Sequence, residues 1–178
     1  HMVSTDAAER FLGAPFLAGV DPALRRAVLG LLSEERASAR TVVLAQGEPN
    51  DHLSFLIEGS ITMERTFPEG QKETVATMSA PAVFGTTSFF RPTAPSVSVI
   101  ATTDIWTLTL HHPAHEQLRL ENPRAAEALA LAAVRVLAER FDVLDKRVSD
   151  YLARHGDDQP KATEWSSFRA RLFEEPHI

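Results

Sequence analysis

Cysteine is absent from the 178 residues, so neither a disulfide nor a catalytic thiolate is available to this chain. No nonpolar run approaches the roughly 20 residues that span a bilayer, and no signal-peptide pattern is present. With no signal and no spanning segment, we expect a cytoplasmic protein, the default compartment, that does not act at a membrane. His1 and Met2 resemble an expression remnant and are left out of the interpretation.

Basic segments are also missing, and the formal net charge is −6. Duplex DNA is bound largely by neutralising phosphates, so the charge predicts no direct DNA binding by this chain. The sequence contains no Gly-x-Ser-x-Gly elbow, no P-loop and no other enzyme signature. We therefore expect a protein that is not an enzyme.

The middle of the sequence consists of short runs rich in β-branched residues, most of them separated by Gly or Pro turns. This spacing is typical of a β-sandwich or barrel. The predicted strands cover residues 41–44, 53–57, 60–66, 74–78, 97–102 and 105–110. Before them, a helix is predicted over 22–32, with Asp21 as its N-cap and Pro22 at its first position.

A long helix is predicted from Pro123 to about Leu152. Nonpolar residues follow alternating steps of four and three along it, which is a heptad pattern. The pattern predicts a homodimer formed through Ala130, Val134, Leu137, Phe141, Leu144 and Val148. The alternative is a helix that packs on its own barrel, but thirty residues span about 45 Å, more than a small barrel covers.

Two segments resemble motifs of one family. Residues 47–59 read GEPNDHLSFLIEG, and residues 84–99 read FGTTSFFRPTAPSVSV. In this order and spacing they resemble the early hairpin and the phosphate-binding cassette of the cyclic-nucleotide-binding domains, which include the catabolite-activator and FNR-like sensors. The resemblance extends over about residues 15–152.

The resemblance implies a fold that is mainly β with flanking helices. It is a jelly-roll-like β-barrel of the cyclic-nucleotide-binding type plus a long C-terminal helix. The expected organisation is a barrel domain with N-terminal helices over 3–122, a dimerisation helix over 123–152 and a tail with a short amphipathic helix over 153–178. Within the barrel, we interpret residues 85–90 as one short helical turn between strands.

The resemblance also shows what the cassette lacks. In the family, a glutamate that directly follows the glycine grips the ribose hydroxyl, and an arginine nine residues later pairs with the cyclic phosphate. Here Thr86 and Pro95 stand at those two positions, after Gly85. Losing a buried charged partner costs about 2–5 kcal/mol in binding. No cofactor is therefore certain, and a cyclic nucleotide, although possible by resemblance, is expected to bind weakly or not at all.

Two interpretations of this cassette stay open. In the first it is retained as structure, and the pocket is empty or closed. In the second, the N–H groups of residues 86–89, with Arg91, hold a different anion. The candidate pocket residues are Gly85, Thr86, Thr87, Ser88, Phe89, Arg91, Pro95, Ser96 and Ser98.

Histidines cluster at His111, His112 and His115, a residue type that binds zinc. Pro113 is expected to begin a helix that leaves His111 outside it, so we interpret these as surface histidines and predict no metal site. A cupin-type enzyme would need histidines and carboxylates on interior strands. His52 is the only histidine in the region that forms the predicted strands, which disfavours that alternative.

The sequence therefore predicts a regulatory or sensor domain with a degenerate cassette. It would act by a ligand- or partner-dependent change in a homodimer, and a protein partner is possible. One alternative is a ligand-free dimeric interaction scaffold, and another is the N-terminal part of a transcription regulator. Regulators of the family carry a winged helix after the long helix, and the residues after Leu152 are too few for that module.

Overall fold

The computed structural model describes residues 3–154. Within them, eight strands form two four-stranded antiparallel sheets, in the orders β1-β8-β3-β6 and β2-β7-β4-β5. The strands are β1 (Ser33–Ala37), β2 (Val42–Leu44), β3 (His52–Glu58), β4 (Ser60–Thr66), β5 (Lys72–Ser79), β6 (Ala82–Phe84), β7 (Ser98–Ala101) and β8 (Ile105–His111).

Helices flank the two sheets. They are α1 (Thr5–Leu12), α2 (Pro22–Leu29), α3 (Thr86–Phe90), α4 (His112–Glu121) and α5 (Pro123–Arg154), with a 3-10 turn at Pro15–Leu17. The predicted architecture, mainly β with flanking helices and a long C-terminal helix, is confirmed.

The core lies between the two sheets, where nonpolar side chains from both inner faces pack together. These side chains are Leu56, Phe84 and Ile105 from the first sheet, and Leu44, Ile61, Val99 and Ala101 from the second. The outer face of the first sheet is also covered. The rings of Phe11 and Phe16 lie edge-on to Phe55 of β3, at centroid distances of 5.0 and 5.1 Å. Strand β3 is therefore buried on both faces.

The predicted cap of α2 is confirmed. The Asp21 carboxylate accepts a hydrogen bond of 2.7 Å from the N–H of Ala23, and Pro22 occupies the first turn. The helix ends at Leu29, three residues before the predicted end, because Gly30 is its C-cap.

Three elements were missed by the sequence interpretation, namely α1, β1 and β6. Strand β1 has the polar sequence SEERA and forms by pairing with β8. Trp106 of β8 donates its indole N–H to Glu34 over 3.0 Å, and the Arg36 guanidinium lies 4.0 Å from the centroid of the same ring. Tertiary pairing here outweighs a weak local strand propensity.

Strand β8 extends one residue further than predicted, to His111, which pairs directly with His52 of β3. The statement that His52 is the only histidine in the strand-forming region was therefore wrong.

The chain divides into two compact units between Val134 and Arg135, inside α5. The first unit contains both sheets, α1–α4 and the start of α5. Of the second unit, the structure describes the rest of α5. The boundaries 3–122 and 123–152 remain a prediction, and the tail from His155 onward lies outside the described residues. Among the helices of residues 3–154, none combines the length and nonpolar character needed to cross a membrane.

Candidate functional site

The candidate cassette, residues 85–98, begins directly after β6 and ends with the first residue of β7. Helix α3 confirms the predicted short helical turn at its start. Both ends of the cassette form hydrogen bonds with one segment, the β2–β3 connection of residues 45–51. The structure thus brings the two halves of the cassette together on one support.

Gly85 is required by the geometry at the start of the cassette. Its φ is +79°, in the left-handed region, and it is the N-cap residue of α3. A Cβ at this position would lie 2.8 Å from the carbonyl oxygen of His52 and 3.3 Å from Nδ2 of Asn50. Only glycine avoids both the strained φ and the backbone contact.

Asn50 holds this end of the cassette. Its side chain is 9% exposed, and its amide donates to Oγ of Ser88 over 2.8 Å and to the carbonyl of His52 over 2.9 Å. A longer contact of 3.4 Å reaches the carbonyl of Gly85, to which Ser88 also donates over 3.3 Å. The sequence interpretation did not single out Asn50, and its place in the GEPND turn was the available signal.

Thr86 follows Gly85 and lies inside the protein. It is 2% exposed, and its hydroxyl oxygen has no hydrogen-bond partner among residues 3–154. A buried hydroxyl without a partner costs free energy, about 1–3 kcal/mol by protein mutational data. Among the described residues of the cassette, Thr86 is therefore the one whose buried polar atom makes no hydrogen bond.

The other end of the cassette is held by the same β2–β3 connection. The Pro95 carbonyl accepts the N–H of Gly47 over 2.9 Å, and Pro95 itself is buried. The Ser98 hydroxyl accepts the N–H of Gln46 over 3.0 Å. Gln46 in turn exchanges two side-chain hydrogen bonds with the backbone of Thr66 at the end of β4. These polar groups are therefore used within the barrel.

Of the candidate pocket residues, Thr87, Arg91 and Ser96 are exposed. Arg91 is the only cationic residue of the segment. It is the C-cap residue of α3, at the opposite end of that helix from Gly85. The structure does not bring its side chain into a described hydrogen bond or ion pair within residues 3–154.

Phe89 lies in an aromatic cluster instead of a free pocket. It is 3% exposed, with its ring 5.1 Å from Phe90, 4.5 Å from His112 and 5.2 Å from His115. His112 Nε2 also lies 3.1 Å from the Phe89 carbonyl oxygen. Burial lowers the pKa of His115, against the opposing effect of Glu116. His112 and His115 thus pack against Phe89, whereas His111, the N-cap residue of α4, packs against His52.

A groove of about 450 Å³ lies next to this cluster, between α3, α4 and the start of α5. Phe90 and His115 line one part of it, and Leu120 and Ala126 another. Leu120 is 84% exposed. The candidate pocket residues do not line this groove.

The predicted dimerisation residues all lie on α5. In the first unit, Val134 is 61% exposed, and Ala130 is half-buried. In the second unit, Phe141 and Leu144 are 48% and 55% exposed. The remaining two positions, Leu137 and Val148, are half-buried.

The sequence profile described as "Cyclic nucleotide-binding domain" matches residues 34–122, from β1 through α4. A CRP-like cAMP-activated global transcriptional regulator of Mycobacterium tuberculosis is 26% identical to this chain over 134 residues. That alignment covers 75% of this chain and 58% of the relative, so the chain spans little more than half the length of the regulator it matches.

Solved structures share the fold. A cyclic nucleotide-binding domain from Methylobacillus flagellatus KT superposes with a TM-score of 0.74 at 19% identity, covering 82% of this chain and 84% of that one. The N-terminal domain of a transcriptional regulator from Streptomyces coelicolor A3(2) gives 0.64 at 24% identity, with coverages of 76% and 94%. The jelly-roll-like barrel predicted from the sequence is thereby confirmed.

Proposed function

The chain belongs to the cyclic nucleotide-binding domain family, and we propose that it is a regulatory domain with an altered cassette that acts as a homodimer. In this proposal, a ligand or a partner protein shifts the population between two arrangements of the dimer. No catalytic step is part of it.

The altered cassette is the observation that carries the proposal. Thr86 and Pro95 stand where the family resemblance implies the two nucleotide-gripping side chains. Thr86 is buried and uncharged, and Pro95 has no side-chain donor and no N–H group. Each lost charged partner costs about 2–5 kcal/mol, which lowers the affinity for the nucleotide by about 1.5 to 3.5 decades. We therefore infer that cyclic AMP and cyclic GMP are not held as in the family.

The internal hydrogen bonds favour a cassette that is retained as structure. Ser88 is bonded to Asn50, Ser98 to Gln46, and the Pro95 carbonyl to Gly47. A different anion would have to compete with these contacts or be held by Arg91 at the surface. These contacts therefore support the first interpretation, a closed cassette, in a domain that a partner protein regulates.

A thermal-shift panel tests this part of the proposal. Cyclic AMP, cyclic GMP, cyclic dinucleotides, phosphate and sulfate are compared with sodium chloride at equal ionic strength. We expect no ligand-specific rise of the melting temperature, since only a ligand that binds the folded state stabilises it. A dose-dependent rise with either cyclic mononucleotide would contradict the proposal, and a rise with another ligand would favour the second interpretation of the cassette.

The exposed nonpolar residues of α5 support the homodimer. Val134, Phe141 and Leu144 fall on heptad positions, and each is about half exposed or more in the single chain. Large nonpolar side chains exposed at successive heptad positions are typical of a helix that pairs with another helix. A parallel or antiparallel pairing of two α5 helices would cover them.

Substitution in α5 tests the dimer by light scattering. Phe141→Asp places a charge on the heptad face of each subunit and should produce a monomer. Val143→Asp is the matched control, because Val143 is 51% exposed but lies off the heptad positions. A monomeric unmutated protein at tens of micromolar, or equal dissociation by both variants, would contradict the proposal.

A second candidate is the N-terminal part of a transcription regulator. It is favoured by the two relatives described as regulators and by the partial coverage of the first of them. We propose that this chain does not bind DNA directly, because its net charge is −6 and duplex binding depends on neutralising phosphates. Sequence-dependent retardation in a gel-shift titration at sub-micromolar protein would contradict this.

A further inference from the structure

Three side chains of types that can bind a metal converge where the β2–β3 connection enters β3. Asp51 precedes the strand, His52 begins it, and His111 ends the neighbouring β8. His52 and His111 are directly paired across the two strands, with ring centroids 5.9 Å apart. One ligand atom from each of the three residues lies within 4.8 Å of the other two.

Two of the three donor separations approach those of a small tetrahedral ion. Zinc with ligand bonds of 2.0–2.1 Å holds neighbouring donor atoms about 3.3 Å apart. His52 Nδ1 lies 3.2 Å from Oδ1 of Asp51, and His111 Nδ1 lies 3.8 Å from Oδ2 of the same carboxylate. The donor atoms of the two histidines lie within 4.8 Å of each other, so side-chain rotation would have to bring them closer around a metal.

A second carboxylate orients one of the ligands. The Nε2 atom of His111 lies 3.1 Å from Oε1 of Glu35 on β1, while its Nδ1 atom is turned to Asp51. Histidines that bind metals usually donate their other ring N–H to a carboxylate, which fixes the tautomer and the ring orientation. Glu35 would leave Nδ1 of His111 as the free acceptor nitrogen.

The backbone under the cluster is held on both sides. The Asp51 carbonyl accepts the N–H of His112 over 2.9 Å, which ties the connection to the start of α4. The N–H of His52 donates to the buried Asn50 side chain over 3.3 Å. These hydrogen bonds fix the backbone from which the side chains of Asp51 and His52 extend.

We propose that Asp51, His52 and His111 form a binding site for a divalent cation of the zinc class, with Glu35 as the residue that positions His111. The set of two histidines and one carboxylate is typical of zinc, and a water molecule would complete four-coordination. The histidine group of the linear sequence is not the site, because His112 and His115 pack against Phe89.

Isothermal titration calorimetry of the full chain with zinc chloride at pH 7.5 tests the site. We expect one saturable event per chain. His52→Gln and His111→Gln should each weaken it more than tenfold, and Glu35→Gln about tenfold, the lower end for loss of an outer-shell partner. His115→Gln is the matched control, since His115 lies outside the cluster and should leave the affinity unchanged. Circular dichroism with EDTA confirms that each variant is folded.

Three results would overturn the proposal. The first is the absence of saturable binding up to about 100 µM zinc, because a weaker affinity would not indicate a dedicated site. The second is binding that persists in the His52→Gln/His111→Gln double variant, which would assign the zinc to other histidines of the chain. Equal weakening by His115→Gln would also refute the assignment to this cluster.

Discussion

Two groups of residues, in the cassette and in the connection that supports it, use their polar atoms differently. Asn50, Gly85 and Ser88 form a closed set of short contacts, in which the buried amide of Asn50 reaches three oxygen atoms. Thr86 and Pro95 lie within the same segment, yet the Thr86 hydroxyl has no partner in the described chain, and the Pro95 side chain has nothing to donate. The frame of Asn50, Gly85 and Ser88 is thus closed by its own hydrogen bonds, whereas the side chains of Thr86 and Pro95 add none to it.

The proposed function gives this frame a structural role that needs no nucleotide. The frame residues should therefore govern stability, whereas the two altered positions should not. The following substitutions test that division.

The largest effect is expected for Gly85→Ala. The new Cβ would lie 2.8 Å from a backbone oxygen at a φ of +79°, so both a clash and a left-handed strain arise. We expect a loss of at least about 3 kcal/mol in the free energy of unfolding, measured by urea denaturation.

Gly70→Ala is the matched control for that change. Gly70 has a φ of +86°, but a Cβ there meets no atom within 4 Å. Only the left-handed penalty of about 1–2 kcal/mol should appear. Equal losses for Gly70→Ala and Gly85→Ala would mean that the close fit of the frame has no energetic weight.

Asn50→Ala should have the next largest effect. It removes the donor shared by Ser88 and two carbonyls, and each buried group left unpaired costs about 1–3 kcal/mol. We expect a loss of about 2–3 kcal/mol. A double-mutant cycle with Ser88→Ala should give a coupling above about 0.5 kcal/mol, and additive losses would argue against a connected frame.

Thr86→Val should have the smallest effect, in the opposite direction. It replaces an unpaired buried hydroxyl with a methyl group of similar shape, so stability should stay unchanged or rise by about 1 kcal/mol. Thr109→Val is the contrasting control, because Thr109 is 1% exposed and its hydroxyl lies 3.3 Å from that of Ser54. If Thr86→Val destabilised the protein as much as Thr109→Val, Thr86 would belong to the frame.

Patterns within short segments were sufficient to predict much of this structure. The strand over Ser60–Thr66 was predicted with its observed bounds, and α3 and the Asp21 cap also followed from local residue types. Such features depend on a few neighbouring residues, so they are visible in the sequence.

Elements that depend on distant pairing were not predictable in this way. Strand β1 is polar and exists because β8 lies beside it, with Trp106 contacting Glu34 and Arg36. The proximity of His52 and His111 likewise follows from the register of β3 and β8, residues 59 positions apart in the sequence. The role of Asn50 needed the position of α3 before it could be seen.

Calorimetric titration with cyclic AMP and cyclic GMP tests the central claim, that the cassette is a structural frame without the nucleotide grip. The unmutated chain should give no saturable heat at concentrations that resolve micromolar affinity. Thr86→Glu with Pro95→Arg restores the two side chains and should gain affinity if the frame is open, whereas no gain would mean a closed pocket. Micromolar or tighter binding of either nucleotide by the unmutated chain would contradict the account.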